Sequence, residues 1–219
     1  IDSEGRLVIC EHGNRRISRL EEDGSRTVLV DSYEGGRLNS PNDAVFGSDG
    51  SLYFTDPSYG LEELEESPLR ELDFNGIYRL RPDGELQLLV RDQTRPNGIA
   101  LSPDESTLYV ANSDENQKVW MAYDIDEDGA SNGRVFYDVN DQTAAGAADG
   151  MKVDLRGNTR VPAADEQGGL VTITQSSTGG RFDWNLVTGN LLKVGSAVQR
   201  PPGAFIAVQH RGAWVYIRN

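Results

Sequence analysis

The chain has 219 residues, of which 37% are hydrophobic and 24 are glycine. This length can bury a substantial core, and the many glycines, with no long apolar run, favour a turn-rich all-β protein over a helical or membrane protein. With 35 acidic against 21 basic residues and a formal net charge of −14, binding to nucleic-acid phosphates or to an anionic membrane surface is disfavoured. Small substrates and cations remain possible partners.

The first thirty residues predict an antiparallel meander of two or three strands. Alternating or β-branched residues occupy 6–11, 16–20 and 26–30, and an Asp-Gly turn precedes the last of these segments. The single cysteine, Cys10, lies in an apolar run, and we interpret it as a small buried core residue. His12 follows at a strand end, where we predict a solvated or turn-capping role, with a ligand role as the alternative.

A repeated unit begins after this meander. Residues 39–55 hold a Ser-Pro-Asn-Asp turn, a short apolar strand, a Ser-Asp-Gly turn and a strong strand, and residues 95–114 repeat this order from an Arg-Pro-Asn-Gly turn. Leu7, Leu52 and Leu108 mark equivalent strands about 45 and about 56 residues apart. Such spacing is typical of the four-stranded blades of a β-propeller.

Two acidic segments lie between the predicted strands. Residues 61–73 carry six acidic side chains and predict a solvated surface insertion with a helical turn or two, a lid over a site being the alternative. Residues 124–129 resemble the start of a calcium-binding loop, but Val135 stands where a bidentate Glu is needed. We therefore predict an acidic hairpin turn there, with a weak cation site as the alternative.

The repeat pattern weakens in the last third of the chain. A further copy opens at Asp149, but from Thr159 the expected apolar strand is replaced, and residues 175–181 are polar and glycine-rich. Strand signals return at 191–194 and in a hairpin formed by 205–208 and 214–217. We interpret the chain as one domain, 1–219, whose residues 159–219 are diverged, chimeric or frame-shifted.

Five segments carry a resemblance to a known family. They are LNSPND at 38–43, LYFTDP with YG at 52–60, FNGIYR at 74–79, RPNGIALSPD at 95–104 and DGMKVD at 149–154. In this order and spacing the chain resembles the senescence marker protein, gluconolactonase and luciferin-regenerating enzyme family of six-bladed β-propellers, over residues 5–158. The resemblance implies an all-β propeller, here incomplete with about four to five blades.

The resemblance also implies a site. Members of this family bind one divalent cation, often calcium, at the axial opening through a Glu, an Asn and an Asp, and many hydrolyse sugar or other lactones. By this resemblance Asn97 and Asp149 are metal ligands, Asp149 is also the catalytic proton acceptor, and Asn42 contacts substrate or water. Ser40 stands on the substrate side in place of a family Arg, so a sugar-acid preference that depends on that Arg is not implied. The expected cofactor is Ca²⁺, with Mg²⁺, Mn²⁺ or Zn²⁺ as alternatives.

The family's metal-binding Glu belongs to a Glu-Gly-Pro segment of the first blade, which this sequence lacks. Either residues precede Ile1 in the natural protein, as its repeat-like start suggests, or the site is incomplete. From the residues themselves, Asn42, Asn97 and Asp149 share the strand-entry position of three consecutive copies, and their oxygens suit hard cations. The alternative is that each caps a turn.

Three functions follow as hypotheses. The first is metal-dependent hydrolysis of a small-molecule lactone, and the second is a non-catalytic cation- or small-ligand-binding propeller or an inactive fragment. The third is hydrolysis of another ester or a phosphotriester at the same site.

Neither a nucleic acid nor a membrane is an expected partner, and the oligomeric state stays open. Without a signal-like apolar stretch, a cytoplasmic location is slightly favoured. Because an open propeller exposes sheet edges, we expect marginal stability or self-association.

Overall fold

The computed structural model describes residues 1–141, 147–153, 159–160, 193–197, 206–210 and 213–218. Within these ranges the regular elements are eighteen β-strands and one short 3₁₀-helix. The chain forms two compact units, residues 1–159 and residues 160–219. The all-β class is confirmed, while the interpretation of the chain as one domain stays a prediction.

The first unit is a series of antiparallel sheets joined in chain order. The first sheet contains β1 (Val8–Glu11), β2 (Arg16–Leu20) and β3 (Arg26–Val30), and a short hairpin follows from β4 (Ser32–Tyr33) and β5 (Gly36–Arg37). The second sheet contains β6 (Ala44–Phe46), β7 (Leu52–Asp56), β8 (Gly76–Leu80) and β9 (Leu86–Val90). The third contains β10 (Pro96–Leu101), β11 (Thr107–Asp114), β12 (Gln117–Ile125) and β13 (Ala130–Asp138). The 3₁₀-helix spans Leu64–Glu66, and β14 (Lys152–Val153) and β15 (Thr159–Arg160) form a two-stranded sheet.

The turns explain why the chain meanders in this way. Gly24, Gly50 and Gly84 follow an Asp in three tight turns and have φ angles of +83°, +84° and +93°, a region that costs glycine little. In the third sheet Glu105 takes the corresponding turn position with φ +56°. Its carboxylate accepts hydrogen bonds from the Ser48 amide at 2.9 and 3.0 Å, so the strained turn also links two sheets.

The core lies on both faces of the second sheet, because successive side chains of a strand point to opposite faces. Leu52 and Phe54 of β7 pack with Ile17 and Leu38 toward the first sheet. Tyr53, between them in sequence, packs with apolar residues of the third sheet, namely Ile99, Leu108, Val110 and Tyr123. This face-to-face packing of consecutive sheets, of three, four and four strands, is propeller packing, and it confirms the predicted repeat.

The predictions for individual segments are largely confirmed. The meander has three strands, and Cys10 is partly buried against the first core cluster, where burial raises the pKa of its thiol to about 12. Residues 124–129 form a hairpin turn in which the carboxylate of Asp126 accepts the amides of Asp128 and Gly129. The acidic segment at 61–73 is mostly exposed and contains the 3₁₀-helix, as the predicted helical turn requires.

The second unit contains a three-stranded antiparallel sheet in its described residues. Its strands are β16 (Lys193–Ala197), β17 (Ile206–His210) and β18 (Ala213–Arg218), in the order β16-β18-β17. The predicted C-terminal hairpin is confirmed, since His210 pairs with Ala213 across it. Residues 175–181 and most of the segment interpreted as diverged lie outside the described residues, so that interpretation stays a prediction.

With this sheet, the described residues contain four sheets of three or four strands, in agreement with the predicted number of blades. No helix in the described residues is both long and apolar enough to cross a membrane. An open groove of about 680 Å³ is lined by residues of β1 and β6, mainly by apolar side chains, and Asn42 is among its lining residues.

Candidate functional site

Asn97 lies at the start of β10, on a stretch where the strand pairing is irregular. The register between β10 and β11 shifts between Pro96 and Ile99, and such a bulge re-aims the side chains it contains. The main chain of Asn97 is fixed by the hydroxyl of Thr55, which donates to its carbonyl oxygen at 2.7 Å. Asn97 is therefore half-buried at the end of the sheet, with its side chain free to meet neighbouring loops.

A chain of side-chain hydrogen bonds runs through Asn97 across the three sheets. His12 Nε2 lies 3.2 Å from Asn42 Oδ1, and Asn42 Nδ2 donates to Asn97 Oδ1 at 2.6 Å. Asn97 Nδ2 donates to Ser113 Oγ at 2.9 Å, and the Ser113 hydroxyl donates to the carbonyl of Ala148. The two asparagines that share a position in the repeat are thus in direct contact, although their roles as ligand and substrate contact stay predictions.

Gly98 brings Asp149 beside Asn97. A Cβ atom at Gly98 would lie 2.6 Å from Gly150 Cα and 2.8 Å from the Asp149 carbonyl oxygen, so only glycine permits this approach of the chain to β10. Asp149 is exposed, and Asn97 directly precedes Gly98, the residue at which the two segments meet. The structure therefore brings the main chain of Asp149 close to that of β10 next to Asn97, while the roles of both residues as metal ligands stay predictions.

Tyr59 forms a wall of the same site. Its hydroxyl donates to the Arg95 carbonyl at 3.2 Å. Burial raises the pKa of this phenol, although the nearby polar side chains of Ser113 and Asn97 oppose the rise, and the charge of Asp149 adds to it. The phenol is consequently a neutral hydrogen-bonding group among the candidate site residues.

The acidic insertion is attached to the site by Glu65. Its carboxylate accepts from Arg95 Nε at 3.1 Å and from an Arg95 terminal nitrogen at 3.3 Å, and also from the Ser58 hydroxyl at 3.0 Å. Burial works in the opposite direction, but the hydrogen bond from Arg95 holds the pKa of Glu65 below its usual range. The segment that follows Tyr59 is therefore tied to Arg95, the residue whose carbonyl accepts from Tyr59.

Ser40 has a different position from that of the other predicted site residues. It is fully buried, its hydroxyl donates to the Pro57 carbonyl at 2.6 Å, and the hydroxyl oxygen accepts the Gly60 amide at 2.8 Å. A Cβ at Gly60 would lie 2.7 Å from the Ser40 Cβ and 2.9 Å from the His12 Cβ, so this loop packs tightly on both residues. A direct substrate contact of Ser40 stays a prediction, and its observed bonds position the Tyr59 loop.

The donors at this site fit a hard divalent cation in type. Asn97 Oδ1 accepts one hydrogen bond, and an amide oxygen has two lone pairs, so one remains available. Asp149 adds a carboxylate, and both oxygens are of the kind that Ca²⁺ and Mg²⁺ prefer. In the part of the chain that the structure describes, no three His, Cys, Asp or Glu side chains are grouped to hold a metal ion, so the fit depends on Asn97 and Asp149.

Comparison with models of protein families identifies the family of the chain. Residues 1–182 match the model described as the SMP-30/Gluconolactonase/LRE-like region. The chain belongs to this family. The resemblance predicted from the sequence motifs is confirmed.

Individual relatives of the family give the same result. The chain is 42% identical over 165 residues to a gluconolactonase of Zymomonas mobilis, an alignment that covers 72% of this chain and 46% of the relative. A solved gluconolactonase from Xanthomonas campestris is 37% identical with a TM-score of 0.68, over 83% of this chain and 58% of that structure. A luciferin-regenerating enzyme structure, 24% identical with a TM-score of 0.60 over 83% of this chain and 58% of that one, shares the fold.

The chain thus spans about half the length of the gluconolactonase relatives that it matches. The described residues have the fold of the propeller lactonases, and the predicted fold class is confirmed. Sequence reasoning assigned no role to Tyr59 or Ser113. Tyr59 lies inside one of the family-like motifs, which was a usable signal, whereas Ser113 corresponds to Pro57 in the other copy of the repeat and gives none.

Proposed function

We propose that the protein is a lactone hydrolase whose site comprises Asn42, Asn97 and Asp149, with one divalent cation held by Asn97 and Asp149. The observation that carries the proposal is the direct contact between Asn42 and Asn97, at 2.6 Å, beside the backbone of Asp149. Support also comes from the 42% identity to a protein named gluconolactonase. Ca²⁺ is the favoured ion for an amide and a carboxylate oxygen, with Mg²⁺, Mn²⁺ or Zn²⁺ as alternatives.

Asp149 is the proposed general base. Its exposed carboxylate takes a proton from the water that attacks the acyl carbon, the bond from the acyl carbon to the ring oxygen breaks, and the proton is then returned to the alkoxide. When bound, the cation supplies polarisation of the carbonyl group and a lower pKa for bound water. Asn42 contacts the substrate or the water, and the neutral phenol of Tyr59 borders the site. No nucleophilic side chain is required.

The replacement of Asp149 by asparagine tests this assignment. Because the amide keeps an oxygen but cannot accept the proton, we expect kcat/KM for lactone hydrolysis to fall by a factor of about 10² to 10⁴. Hydrolysis is measured with δ-gluconolactone and with a phosphotriester, each with Ca²⁺, Mn²⁺ or Zn²⁺ added. The control is Asp141→Asn at another exposed carboxylate, which should retain the activity of the parent. An active parent with equal activity in Asp149→Asn would contradict the role of Asp149.

A non-catalytic cation- or ligand-binding propeller is the second candidate. It is favoured by the donor set, because Asn42 and Asn97 are neutral amides and Asp149 is the one carboxylate among the candidate site residues. Titration calorimetry with Ca²⁺ separates the two functions, since binding without turnover of any lactone or ester supports the second. Turnover that is lost in Asp149→Asn supports the first.

A further inference from the structure

We propose that His12 is a positioning residue of the candidate site, held with its proton on Nε2 and fixing the orientation of the Asn42 and Asn97 side-chain amides. This role of His12 rests on the proposed function, because it takes Asn97 as the ligand of the cation. The sequence alone favoured a solvated or turn-capping role for His12. The structure instead places His12 half-buried at the head of the hydrogen-bonded chain that passes through Asn97.

The direction of donation along this series of hydrogen bonds is set at the end formed by Ser113 and Ala148. A main-chain carbonyl can only accept, so the Ser113 hydroxyl donates its one proton to Ala148. Ser113 Oγ must then accept from Asn97, which places Asn97 Nδ2 toward Ser113 at 2.9 Å. The oxygen of the same amide therefore points to Asn42, and this is the oxygen proposed as the ligand.

His12 is the donor at the other end of this series of hydrogen bonds. Since Asn97 presents its oxygen, Asn42 must donate through Nδ2, as the 2.6 Å contact requires. Asn42 then presents Oδ1 to His12, and at 3.2 Å a neutral imidazole satisfies this acceptor only with its proton on Nε2. Every donor in the chain thus points from His12 toward the segment that carries Asp149.

The position of His12 is built into the fold. Its carbonyl accepts the Arg15 amide at 3.1 Å, which closes a tight turn after β1. The buried Arg15 guanidinium donates to the carbonyls of Leu38 at 2.6 Å and Leu69 at 2.7 Å, so the turn is tied to the segment before β6 and to the acidic insertion between β7 and β8. Gly60 also packs tightly against His12, since a Cβ atom at Gly60 would lie 2.9 Å from the His12 Cβ. A merely solvated histidine needs none of these contacts.

Loss of the His12 donor frees the Asn42 amide to rotate. An Asn42 oxygen turned toward Asn97 Oδ1 would place two acceptors in contact, so the Asn97 oxygen would no longer be held in one direction. We expect His12→Leu to weaken Ca²⁺ binding about tenfold. The variant His12→Gln carries an N–H close to the position of Nε2, and it should restore most of the affinity.

Two measurements test the proposal. In the ¹⁵N-labelled protein without cation, at about pH 8 where free imidazole is neutral, the long-range ¹H–¹⁵N spectrum should show His12 protonated on Nε2. The Asn97 side-chain amide should give one ordered pair of signals that is lost in His12→Leu and retained in His12→Gln. Calorimetry with Ca²⁺ alone then compares the three proteins.

Protonation of His12 on Nδ1, or unchanged Asn97 signals in His12→Leu, would overturn the proposal. Equal Ca²⁺ affinity in the parent and in His12→Leu would do the same. The spectra require neither a cation nor turnover, so they decide the matter even if the protein hydrolyses no lactone. Loss of lactonase activity in Asp149→Asn, by contrast, does not depend on the tautomer of His12.

Discussion

Replacement of Gly98 by alanine is expected to remove most Ca²⁺ binding and lactone turnover while the three sheets of the first unit remain folded. The added methyl group would lie 2.6 Å from Gly150 Cα and 2.8 Å from the Asp149 carbonyl oxygen. Both neighbours are main-chain atoms, which cannot turn aside as the end of a flexible side chain can. The segment that carries Asp149 must therefore move away from β10.

The size of the effect follows from the site geometry. A displacement on the order of 1 Å at a ligand and proton acceptor can reduce activity about 10²-fold, and a forced overpacking typically costs about 1–3 kcal/mol of stability. We expect Gly98→Ala to unfold at slightly lower temperature and to lose at least about tenfold in Ca²⁺ affinity. Calorimetry and a thermal melt on the same preparation measure both quantities.

Gly150→Ala is the matched control. Gly150 is adjacent to Asp149, but a Cβ atom there would meet no atom within 4 Å. The same chemical change one residue from the proposed ligand should therefore alter stability by no more than about 0.5 kcal/mol. If both variants bind Ca²⁺ as the parent does, the closeness of β10 and Asp149 has no role in the site.

The repeat explains how much of this arrangement could be predicted. The turn, short strand, turn and strong strand of residues 39–55 and 95–114 predicted consecutive antiparallel sheets, and β6, β7, β10 and β11 form accordingly. The common register of Asn42 and Asn97 placed both residues at one end of their sheets, and their amides are in contact. Residues with equivalent positions in a repeat are brought together by symmetry, which a sequence reveals.

Contacts made by loops that differ between the copies could not be predicted in this way. Tyr59 reaches the site because Glu65 pairs with Arg95 and because Ser40 holds Pro57 and Gly60. None of these bonds has a counterpart in the other copy of the repeat. The family resemblance implied that Ser40 lies on the substrate side in place of a family Arg, and this stays a prediction; the bonds of its buried hydroxyl within the protein could not be predicted from it.

A large pH effect on stability is expected from Asp56, the buried acid at the end of β7. Its Oδ2 accepts the Asn39 amide at 2.7 Å. In the described residues, Asp56 Oδ1 and Asn39 Oδ1 are both buried without a hydrogen-bond partner. Burial raises the pKa of Asp56 to about 7, although main-chain hydrogen bonds from Asn39 and Ser40 oppose the rise.

The third sheet indicates how the two partnerless oxygens of the second sheet are satisfied. Asn112 holds the place of Asp56 in the repeat; its oxygen accepts the Arg95 amide at 2.7 Å and its Nδ2 donates to Thr94 Oγ1 at 3.1 Å. Thr94 corresponds to Asn39. A protonated Asp56 can therefore donate to Asn39 Oδ1 as Asn112 donates to Thr94, and an ionised Asp56 cannot.

The sign of the pH dependence follows from the two states of Asp56. The folded protein keeps the proton up to about pH 7, while an unfolded chain loses it near about pH 4, so stability falls as the pH rises through this window. A difference of about three pKa units corresponds to a loss on the order of 4 kcal/mol. Glu11, whose pKa hydrogen bonds from Ser18 and Asn14 lower to about 2, affects stability only at more acidic pH.

Asp56→Asn should remove this loss, because the amide carries a permanent donor and cannot ionise. We expect its unfolding free energy in urea to be nearly equal at about pH 5 and about pH 8, and to exceed that of the parent at the higher pH. The control Asp92→Asn removes the same charge from an exposed position and should retain the pH dependence of the parent. An equal fall in stability in Asp56→Asn and in the parent would mean that Asp56 is ionised in the folded protein at neutral pH. Asp56 and Asn112 would then be equivalent only in backbone position, and Asp56 would not donate a hydrogen bond to Asn39 as Asn112 does to Thr94.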